Sequence, residues 1–304
     1  MALLHWIRAA RPLAHANIAV PLLVGEVLAW ALTGMWDPLL VGLTHVAGLL
    51  DQLFIVFAND VADEAGDRLN DEPTPFSGGS RVLVDGQISP AALRRASWLA
   101  AVALLGLAAY MAFGLDRPLL FPAWVVGIAL LWAYSYPPLR LSYRGWGEVA
   151  QGLGLGIVLP LVGFYTVAGS LDALPASAMA PLFLLGFAGN INTALPDARA
   201  DARCDKATWP VRFGLPRARK HTLQLLAVAT FMTPFILVDH PQSTWFAVEA
   251  SAAAVLALAA LTWRDADPDD RRACVRFVFL GGLALNVLMV GWCIALWTST
   301  PHGI

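Results

Sequence analysis

Charged residues are scarce in this chain: Asp, Glu, Lys and Arg make up 14% of its 304 residues, while 58% of the residues are hydrophobic. A soluble domain carries about 25% charged residues, so the composition excludes an ordinary soluble protein. The net charge of −2 gives no electrostatic reason to expect a nucleic-acid partner. The three cysteines, Cys204, Cys274 and Cys293, show no CxxC or Cys/His spacing, which argues against a disulfide framework and a zinc site.

Long apolar runs fill most of the sequence. A helix needs about 20 apolar residues to cross the hydrocarbon of a bilayer, and nine segments come close to this length. If the N-terminus is cytoplasmic, every Lys and Arg except Arg117 falls on the cytoplasmic face, as the positive-inside rule requires. The C-terminus is then expected on the opposite face of the cell membrane. The predicted spans are 14–34, 39–57, 91–114, 119–136, 149–169, 176–195, 221–238, 244–263 and 275–297.

Two acidic clusters interrupt the apolar pattern: residues 59–67 follow the second span, and residues 197–201 follow the sixth. An Asp at the centre of a membrane helix costs about 2.5–3.5 kcal/mol, and an i, i+4 spacing places such side chains on one helix face. Mg²⁺ prefers oxygen ligands and usually shares its shell with substrate phosphates. The clusters therefore predict chemistry on a diphosphate at a membrane. A solvated acidic loop paired with nearby arginines is the alternative for either cluster alone.

The positions of the clusters predict an internal repeat. Both follow even-numbered spans, and four spans separate them. We therefore expect a single domain of residues 1–304, in which 14–136 is echoed by 149–263 and the ninth helix 275–297 is extra. Such a repeat would place both acidic segments around one cavity, on the cytoplasmic side.

Basic residues follow the apolar segments near the clusters. Arg and Lys bind the non-bridging oxygens of a diphosphate, Arg in a bidentate way. The alternative is that they are only positive-inside anchors, which is our interpretation of Arg94 and Arg95. The candidates for diphosphate binding are Arg140, Lys206, Arg81 and Arg144.

The motifs resemble those of a known family. Asn59-Asp60-x-x-Asp63-x-x-x-Asp67 resembles the NDxxDxxxD motif of the UbiA superfamily of intramembrane prenyltransferases, and Asp197-x-x-x-Asp201 resembles the second motif of that family. Tyr134-Ser135-x-Pro137-Pro138 resembles its tyrosine motif. The stretches 78–84 and 144–148 are most similar to the dihydroxynaphthoate branch, and the resemblance covers residues 8–297.

The resemblance implies an all-α integral membrane fold, with nine transmembrane helices around a central cavity and helical cap loops on the cytoplasmic side. It also implies Mg²⁺ that bridges the two aspartate motifs to a polyprenyl diphosphate. The metal-site roles fall on Asn59, Asp63, Asp67, Asp197 and Asp201, and the catalytic roles on Asp60, Asp63, Asp67, Asp197, Asp201 and Tyr134.

Several polar residues lie inside the predicted spans. Intramembrane polar and ionisable groups are costly and usually functional. We expect Asp51, Asn192, His15 and Asn17 to line the acceptor end of the cavity, while Glu26 and Glu249 have no assigned role.

The expected reaction is transfer of a prenyl group from a (poly)prenyl diphosphate to an aromatic, quinone-precursor-like acceptor within the lipid bilayer. Departure of the diphosphate leaves an allylic cation, which the acceptor attacks. A terpene cyclase, or transfer to a non-aromatic acceptor, would use the same diphosphate machinery and remains an alternative. A transporter is less favoured, because transporters place ion sites near the bilayer midplane and these clusters lie at one end of their spans.

Overall fold

The computed structural model describes residues 2–74, 77–237, 242–264 and 270–298, and all regular secondary structure within them is helical. Helix α4 continues into a π-helical turn at Tyr110–Gly114, and the π-helical turn Gly154–Val158 joins α6 to α7. The helices are α1 Ala2–Ala10, α2 Ala16–Thr33, α3 Pro38–Leu69, α4 Pro90–Ala109, α5 Leu120–Ser135, α6 Gly147–Leu153, α7 Leu159–Ala168, α8 Met179–Ala194, α9 Ala198–Arg203, α10 Trp209–Phe213, α11 Leu215–Phe231, α12 Gln242–Arg264 and α13 Arg271–Thr298.

Seven helical segments in the described part of the chain are long and apolar enough to cross a membrane. The predicted all-α, multi-pass membrane fold is thereby confirmed. The other two of the nine predicted spans fall on the shorter helices α5 and α11, so the count of nine is not matched one for one. The seven segments are Ala2–Thr33, Pro38–Leu69, Pro90–Gly114, Gly147–Ala168, Ala176–Arg203, Thr244–Arg264 and Arg271–Thr298.

The predicted span 221–238 is wrong in its position. Helix α11 begins at Leu215, with Pro216 in its first turn, and ends at Phe231. Proline suits a helix start because its missing N–H would be unpaired there anyway. Pro234 lies in the 3₁₀ turn that follows, Thr233–Phe235, and proline cannot continue an α-helix. Residue 238, where this predicted span ends, lies outside the described residues. So do residues 299–304, which contain the C-terminus that was predicted to face away from the cytoplasm.

Glycine allows α2 and α7 to approach closely. A Cβ atom on Gly25 would meet the carbonyl oxygen of Pro160, and one on Gly163 would meet the carbonyl oxygen of Leu22. Small residues let the backbones of membrane helices come into contact, where van der Waals packing replaces the missing hydrophobic driving force. This pair therefore forms a tightly packed part of the bundle.

Polar side chains join helices inside the bundle. Oε2 of Glu26 in α2 lies 3.0 Å from Nε2 of His45 in α3, and the two atoms are hydrogen-bonded. This contact gives a structural role to a carboxyl group that the sequence left unassigned. Thr44 of α3 and Thr166 of α7 are joined at 3.0 Å. Both pairs join polar side chains of different helices, so these contacts stabilise the packing of α2, α3 and α7.

Helix α3 carries the first acidic cluster on its last turns and ends at Leu69, while the second cluster lies on the 3₁₀ turn Leu195–Asp197 and on α9. The loops that follow both helices return to the same end of the bundle. The predicted repeat of the two halves stays a prediction.

Candidate active site

Lys206 lies between the two acidic motifs. Its Nζ is 2.9 Å from Oδ2 of Asp63 and 4.0 Å from Oδ1 of Asp201. The side chains of Lys206 and Asp63 are only 13% and 14% exposed. One buried cation therefore joins carboxylates that are 138 residues apart in the sequence (201 − 63).

The electrostatics of this centre keep Lys206 charged. Burial by itself lowers the pKa of Lys206, but the negative charge of Asp63, assisted by Asp201, raises that pKa well above the ordinary lysine value. Tyr143 adjoins the same pair: its hydroxyl donates to Oδ1 of Asp63 at 3.4 Å, and Lys206 Nζ is 5.6 Å from the ring centre. Burial, together with the Asp63 carboxylate, raises the pKa of the Tyr143 phenol, which therefore stays protonated.

The second motif is tied to the loop that follows α3. Oδ1 of Asp197 accepts hydrogen bonds from Nδ2 of Asn70 at 2.8 Å and from the backbone N–H of Gly78 at 3.0 Å. Asp201 accepts from the Thr208 hydroxyl at 3.0 Å. Both aspartates keep further oxygen lone pairs that these bonds do not use.

Asp60 and Asn59 hold neighbouring segments. Asp60, 3% exposed, accepts from the backbone N–H and the hydroxyl of Ser80 and pairs with the guanidinium of Arg11. Oδ1 of Asn59 accepts from the Ser135 hydroxyl at 3.0 Å, which joins α3 to the end of α5. Asp60 thus anchors the loop over the motif, whereas Asp63 faces Lys206.

Gly79 places the loop backbone against the first motif. Its φ of +65° is in the left-handed region, and a Cβ atom there would overlap Oδ2 of Asp67 and lie 3.2 Å from Oδ1 of Asp60. Only glycine leaves room for these carboxylates. Gly86, in the same loop, has the same φ of +65° but has no atom within 4 Å of its Cβ position.

We expect Gly79→Ala to lower the catalytic efficiency at least about tenfold, because small displacements of catalytic groups cost that much or more. Gly86→Ala is the matched control, since both variants bear the same left-handed strain of about 1–2 kcal/mol. Steady-state assays of both variants measure the effect. Equal losses would mean that backbone strain, and not the encroachment on Asp67, is responsible.

The predicted diphosphate residues occupy three kinds of position. Lys206 contacts the acidic motifs directly. Arg81 donates to the backbone carbonyl oxygens of Asp67 at 2.7 Å and Asn70 at 3.3 Å, so it caps the end of α3. Arg140 and Arg144 are exposed; the Arg140 guanidinium lies 3.6 Å from the centre of the Tyr143 ring, and Arg144 donates to the Pro138 carbonyl at 3.0 Å.

Tyr134 is held by α8. Its hydroxyl accepts from Nδ2 of Asn190 at 3.2 Å, and the same Asn190 amide donates to Gln151 at 2.6 Å. The tyrosine motif is thereby fixed to both α6 and α8.

The four predicted acceptor residues do not share hydrogen bonds among the residues that the structure describes. Asp51 is 3% exposed, and its Oδ1 has no hydrogen-bond partner. Asn192 donates to the Val278 carbonyl at 2.8 Å and thus contacts α13. His15 is partly buried and Asn17 is exposed.

Sequence reasoning missed several residues of this site. Each lies within or near a segment that the sequence had singled out, but none has a type or spacing that predicts its contact, and none was assigned a role in the site. These residues are Arg11, Asn70, Ser80, Tyr143, Asn190 and Thr208.

The donor set fits a hard divalent cation that shares its shell with a ligand. Among the described residues, no group of three or more His, Cys, Asp or Glu side chains is arranged as a complete metal site. Carboxylates do converge in pairs, Asp60 with Asp67 at Gly79 and Asp63 with Asp201 at Lys206. Mg²⁺ is usually bound by one or two carboxylates together with substrate phosphates and water, and such pairs meet that requirement.

Comparisons with known proteins agree with this architecture. A model of the UbiA prenyltransferase family matches residues 18–298. The chain is 30% identical over 257 residues to a 1,4-dihydroxy-2-naphthoate octaprenyltransferase of Mycobacterium tuberculosis, covering 84% of each protein. It is 29% identical over 249 residues to the Mycobacterium leprae protein of the same name, covering 80% of each.

A solved structure shares the fold. The UbiA homologue of Archaeoglobus fulgidus, bound to GPP and Mg²⁺, superposes with a TM-score of 0.69 at 18% sequence identity, covering 97% of this chain and 99% of that one. Because the family model matches nearly the whole chain and curated relatives extend over most of it, this protein belongs to the UbiA prenyltransferase family and is a prenyltransferase.

Proposed function

We propose that this enzyme transfers a prenyl group from a prenyl diphosphate to a small aromatic, quinone-precursor-like acceptor within the bilayer, with Mg²⁺ as its cofactor. The observation that carries the proposal is the position of Lys206 between Asp63 and Asp201. Two carboxylate motifs around a single cation, at the end of membrane helices, suit a metal-bound anionic head group whose apolar tail lies in the membrane.

The metal would be held by the oxygens of both acidic motifs. When bound, Mg²⁺ would neutralise the negative charge that develops on the departing diphosphate. Lys206 is placed to donate to the same diphosphate oxygens, since it already lies between the two motifs. The residues that would hold the metal are Asn59, Asp63, Asp67, Asp197 and Asp201.

The remaining basic residues surround this centre. Arg140 lies on the face of Tyr143, whose hydroxyl reaches Asp63, so Arg140 is placed to approach the outer oxygens of the diphosphate. Arg81 holds the end of α3, and Arg144 holds the turn at Pro138. We assign Arg140 to diphosphate binding, and Arg81 and Arg144 to the support of its walls.

The side chains that surround the diphosphate, Tyr134 among them, would exclude water and stabilise a nearby cation. Tyr134 is fixed by Asn190, and its ring belongs to the same end of the bundle as Lys206. An aromatic face stabilises a nearby cation, and exclusion of water protects a reactive allylic cation from hydrolysis. Tyr134 therefore orients and shields the prenyl carbon that the acceptor attacks.

Asp51 is placed to orient the acceptor. It precedes Asn59 by eight residues on α3, a rise of about 12 Å along a helix, so it lies deeper in the bundle than the acidic motifs. Its buried Oδ1 without a partner can accept a hydrogen bond from an acceptor hydroxyl. The Mycobacterium relatives are named for 1,4-dihydroxy-2-naphthoate, a dihydroxy aromatic acid that would supply such a hydroxyl.

The orientation in the cell membrane follows from the distribution of basic residues. We propose that the N-terminus and the active-site loops face the cytoplasm, because positively charged loops are retained on that side. The C-terminus would then face the opposite side.

The function is tested by incubating the purified protein with Mg²⁺, a series of prenyl diphosphates and several acceptors, followed by mass spectrometry. We expect a prenylated dihydroxynaphthoate-type product, complete loss of product in EDTA and recovery with added Mg²⁺. A cyclised product formed without acceptor would identify a terpene cyclase of the same fold. Full activity in EDTA would remove the metal from the proposal.

A further inference from the structure

Helix α1 has an exposed apolar face. Leu3, Leu4 and Ile7 are exposed by 71%, 66% and 46%. On the opposite face Ala9 is fully buried, and Trp6 packs against Phe57 of α3 with ring centres 5.9 Å apart. The apolar side chains of Leu3, Leu4 and Ile7 are therefore not part of the bundle core.

The position of α1 indicates what covers this face. The candidate spanning segment Ala2–Thr33 contains both α1 and α2, but residues 11–15 interrupt it and α2 alone supplies 18 helical residues. Leu13 in the connection is 92% exposed. Exposed apolar side chains therefore continue from α1 into the connection that leads to α2. A stable protein dimer buries about 1,200–2,000 Å², far more than three side chains of a nine-residue helix offer. Short amphipathic helices at such positions lie in the plane of the bilayer interface.

The other side of α1 is fastened to the active-site loop. Arg8 donates to Asp85 at 3.0 Å and to Gln87 at 3.3 Å. Arg11, which follows the last residue of α1, has a left-handed φ of 45° and pairs with the buried carboxylate of Asp60. The same carboxylate holds Ser80, next to Gly79, whose backbone borders Asp67.

We propose that α1 binds the surface of the bilayer through Leu3, Leu4 and Ile7, and that Arg11 is a positioning residue that holds Asp60 and the Gly79 loop over the acidic site. The second half of this inference rests on the proposed function; the first half does not. Insertion of α1 into the interface would fix the direction from which Arg11 reaches Asp60. The Mg²⁺-binding end of α3 would then keep its geometry only when α1 lies on lipid.

The location of α1 is tested without any activity measurement. Leu4→Cys and, as a control, Asp71→Cys are each labelled with a fluorophore after the three native cysteines are replaced by serine, and the proteins are reconstituted into phosphatidylcholine vesicles. Asp71 has a side chain that is 73% exposed, on the loop after α3. We expect nitroxide-bearing lipids to quench the label at position 4, and iodide in the water to quench the label at position 71.

Two outcomes would overturn the membrane contact. Quenching of position 4 by iodide, to the same extent as position 71, would show that α1 lies in water. Protection of position 4 from both quenchers would show that a protein surface, such as a second copy of the chain, covers it. Neither outcome depends on the reaction that the enzyme catalyses.

The positioning role is tested by kinetics. We expect Arg11→Ala to lower kcat by up to about a hundredfold, with little change in the KM for the prenyl diphosphate, and Arg11→Lys to recover part of the loss. A rise in KM as the main effect would mean that Arg11 binds the diphosphate itself.

A double-mutant comparison tests whether the membrane contact of α1 and the positioning role of Arg11 are coupled. We expect the double variant Leu4→Glu/Ile7→Glu to lower kcat about tenfold in vesicles, and to cause no further loss in an Arg11→Ala background, because coupled groups are not additive. Leu4→Met/Ile7→Leu is the apolar control and should retain activity. Additive losses would show that α1 and Arg11 act independently, and thermal unfolding of each variant shows whether it is folded.

Discussion

Asp63→Asn and Asp201→Asn are each expected to lower kcat/KM by more than about a hundredfold, since even residues that only support metal ligands cost 10–100-fold when removed. Asparagine keeps the size of the side chain and one acceptor oxygen, so hydrogen bonds from Lys206 and Thr208 can still form, although Lys206 loses a negatively charged partner in Asp63→Asn. What is lost is the negative charge that, in the proposed function, would hold Mg²⁺. When turnover of each variant is measured over a range of Mg²⁺ concentrations, kcat should respond less to added Mg²⁺ than it does in the parent protein. High Mg²⁺ should not restore kcat to the parent value.

Asp71→Asn is the matched control for this pair. Asp71 is an acidic residue of the same region, but its side chain is 73% exposed and pairs with Arg203 at the surface. Exposed ion pairs contribute little, about 0–1 kcal/mol, so this variant should be as active and as stable as the parent protein. Normal turnover of Asp63→Asn would remove Asp63 from the metal site, and a large loss in Asp71→Asn would show that the assay responds to charge in general.

Lys206→Met is expected to produce the second large effect, a loss of about 10²–10³ in kcat, the magnitude found when one donor to a developing negative charge is removed. It should also destabilise the protein in EDTA, because Asp63 and Asp201 would then face each other without a cation. Breaking a buried ion pair costs about 3–5 kcal/mol, and the partial exposure of this group places the effect toward the lower value.

The thermal response to Mg²⁺ separates this role from a purely structural one. Ligands that bind only the folded state raise Tm by an amount that falls as their Kd rises, so Mg²⁺ with a prenyl diphosphate should raise the Tm of Lys206→Met less than that of the parent protein, because a diphosphate donor is lost. Lys206→Arg is the control that keeps the charge and should retain part of the activity. An unchanged kcat in Lys206→Met, with the same Mg²⁺ response as the parent, would place Lys206 outside the diphosphate site.

The positions of most membrane helices could be predicted from the sequence alone. Hydropathy depends on composition within a window of about 20 residues, so the positions of most membrane helices follow from the sequence. Helix α11 shows where this prediction fails, whereas α5, Leu120–Ser135, matches its predicted span 119–136 closely. In α11 the basic residues Arg217, Arg219 and Lys220 lie inside the helix rather than before it. Hydropathy assigned them to a loop, whereas the prolines at 216 and 234 mark the ends of the helix more closely.

The side-chain contacts of the candidate active site could not be predicted from the sequence in the same way. Arg11 meets Asp60 across 49 positions of the sequence, and Asn70 meets Asp197 across 127. Nothing in the type of either residue specifies its partner, because arginines and asparagines occur throughout the polar loops. The distinction between Asp60, which holds the loop, and Asp63, which faces Lys206, likewise depends on which side of α3 each loop crosses.

The sequence by itself determined that the chain is a helical membrane protein with two acidic motifs at i, i+4 spacing, because hydrophobicity and spacing are properties of neighbouring residues; the order of residues in these motifs also resembles that of the UbiA family. Only the tertiary structure decided that Lys206 lies between Asp63 and Asp201, that Arg11 and Ser80 hold Asp60, and that Asn192 contacts α13. The physical reason is that such partners are chosen by how helices cross and where their loops return, and these depend on packing over the whole bundle.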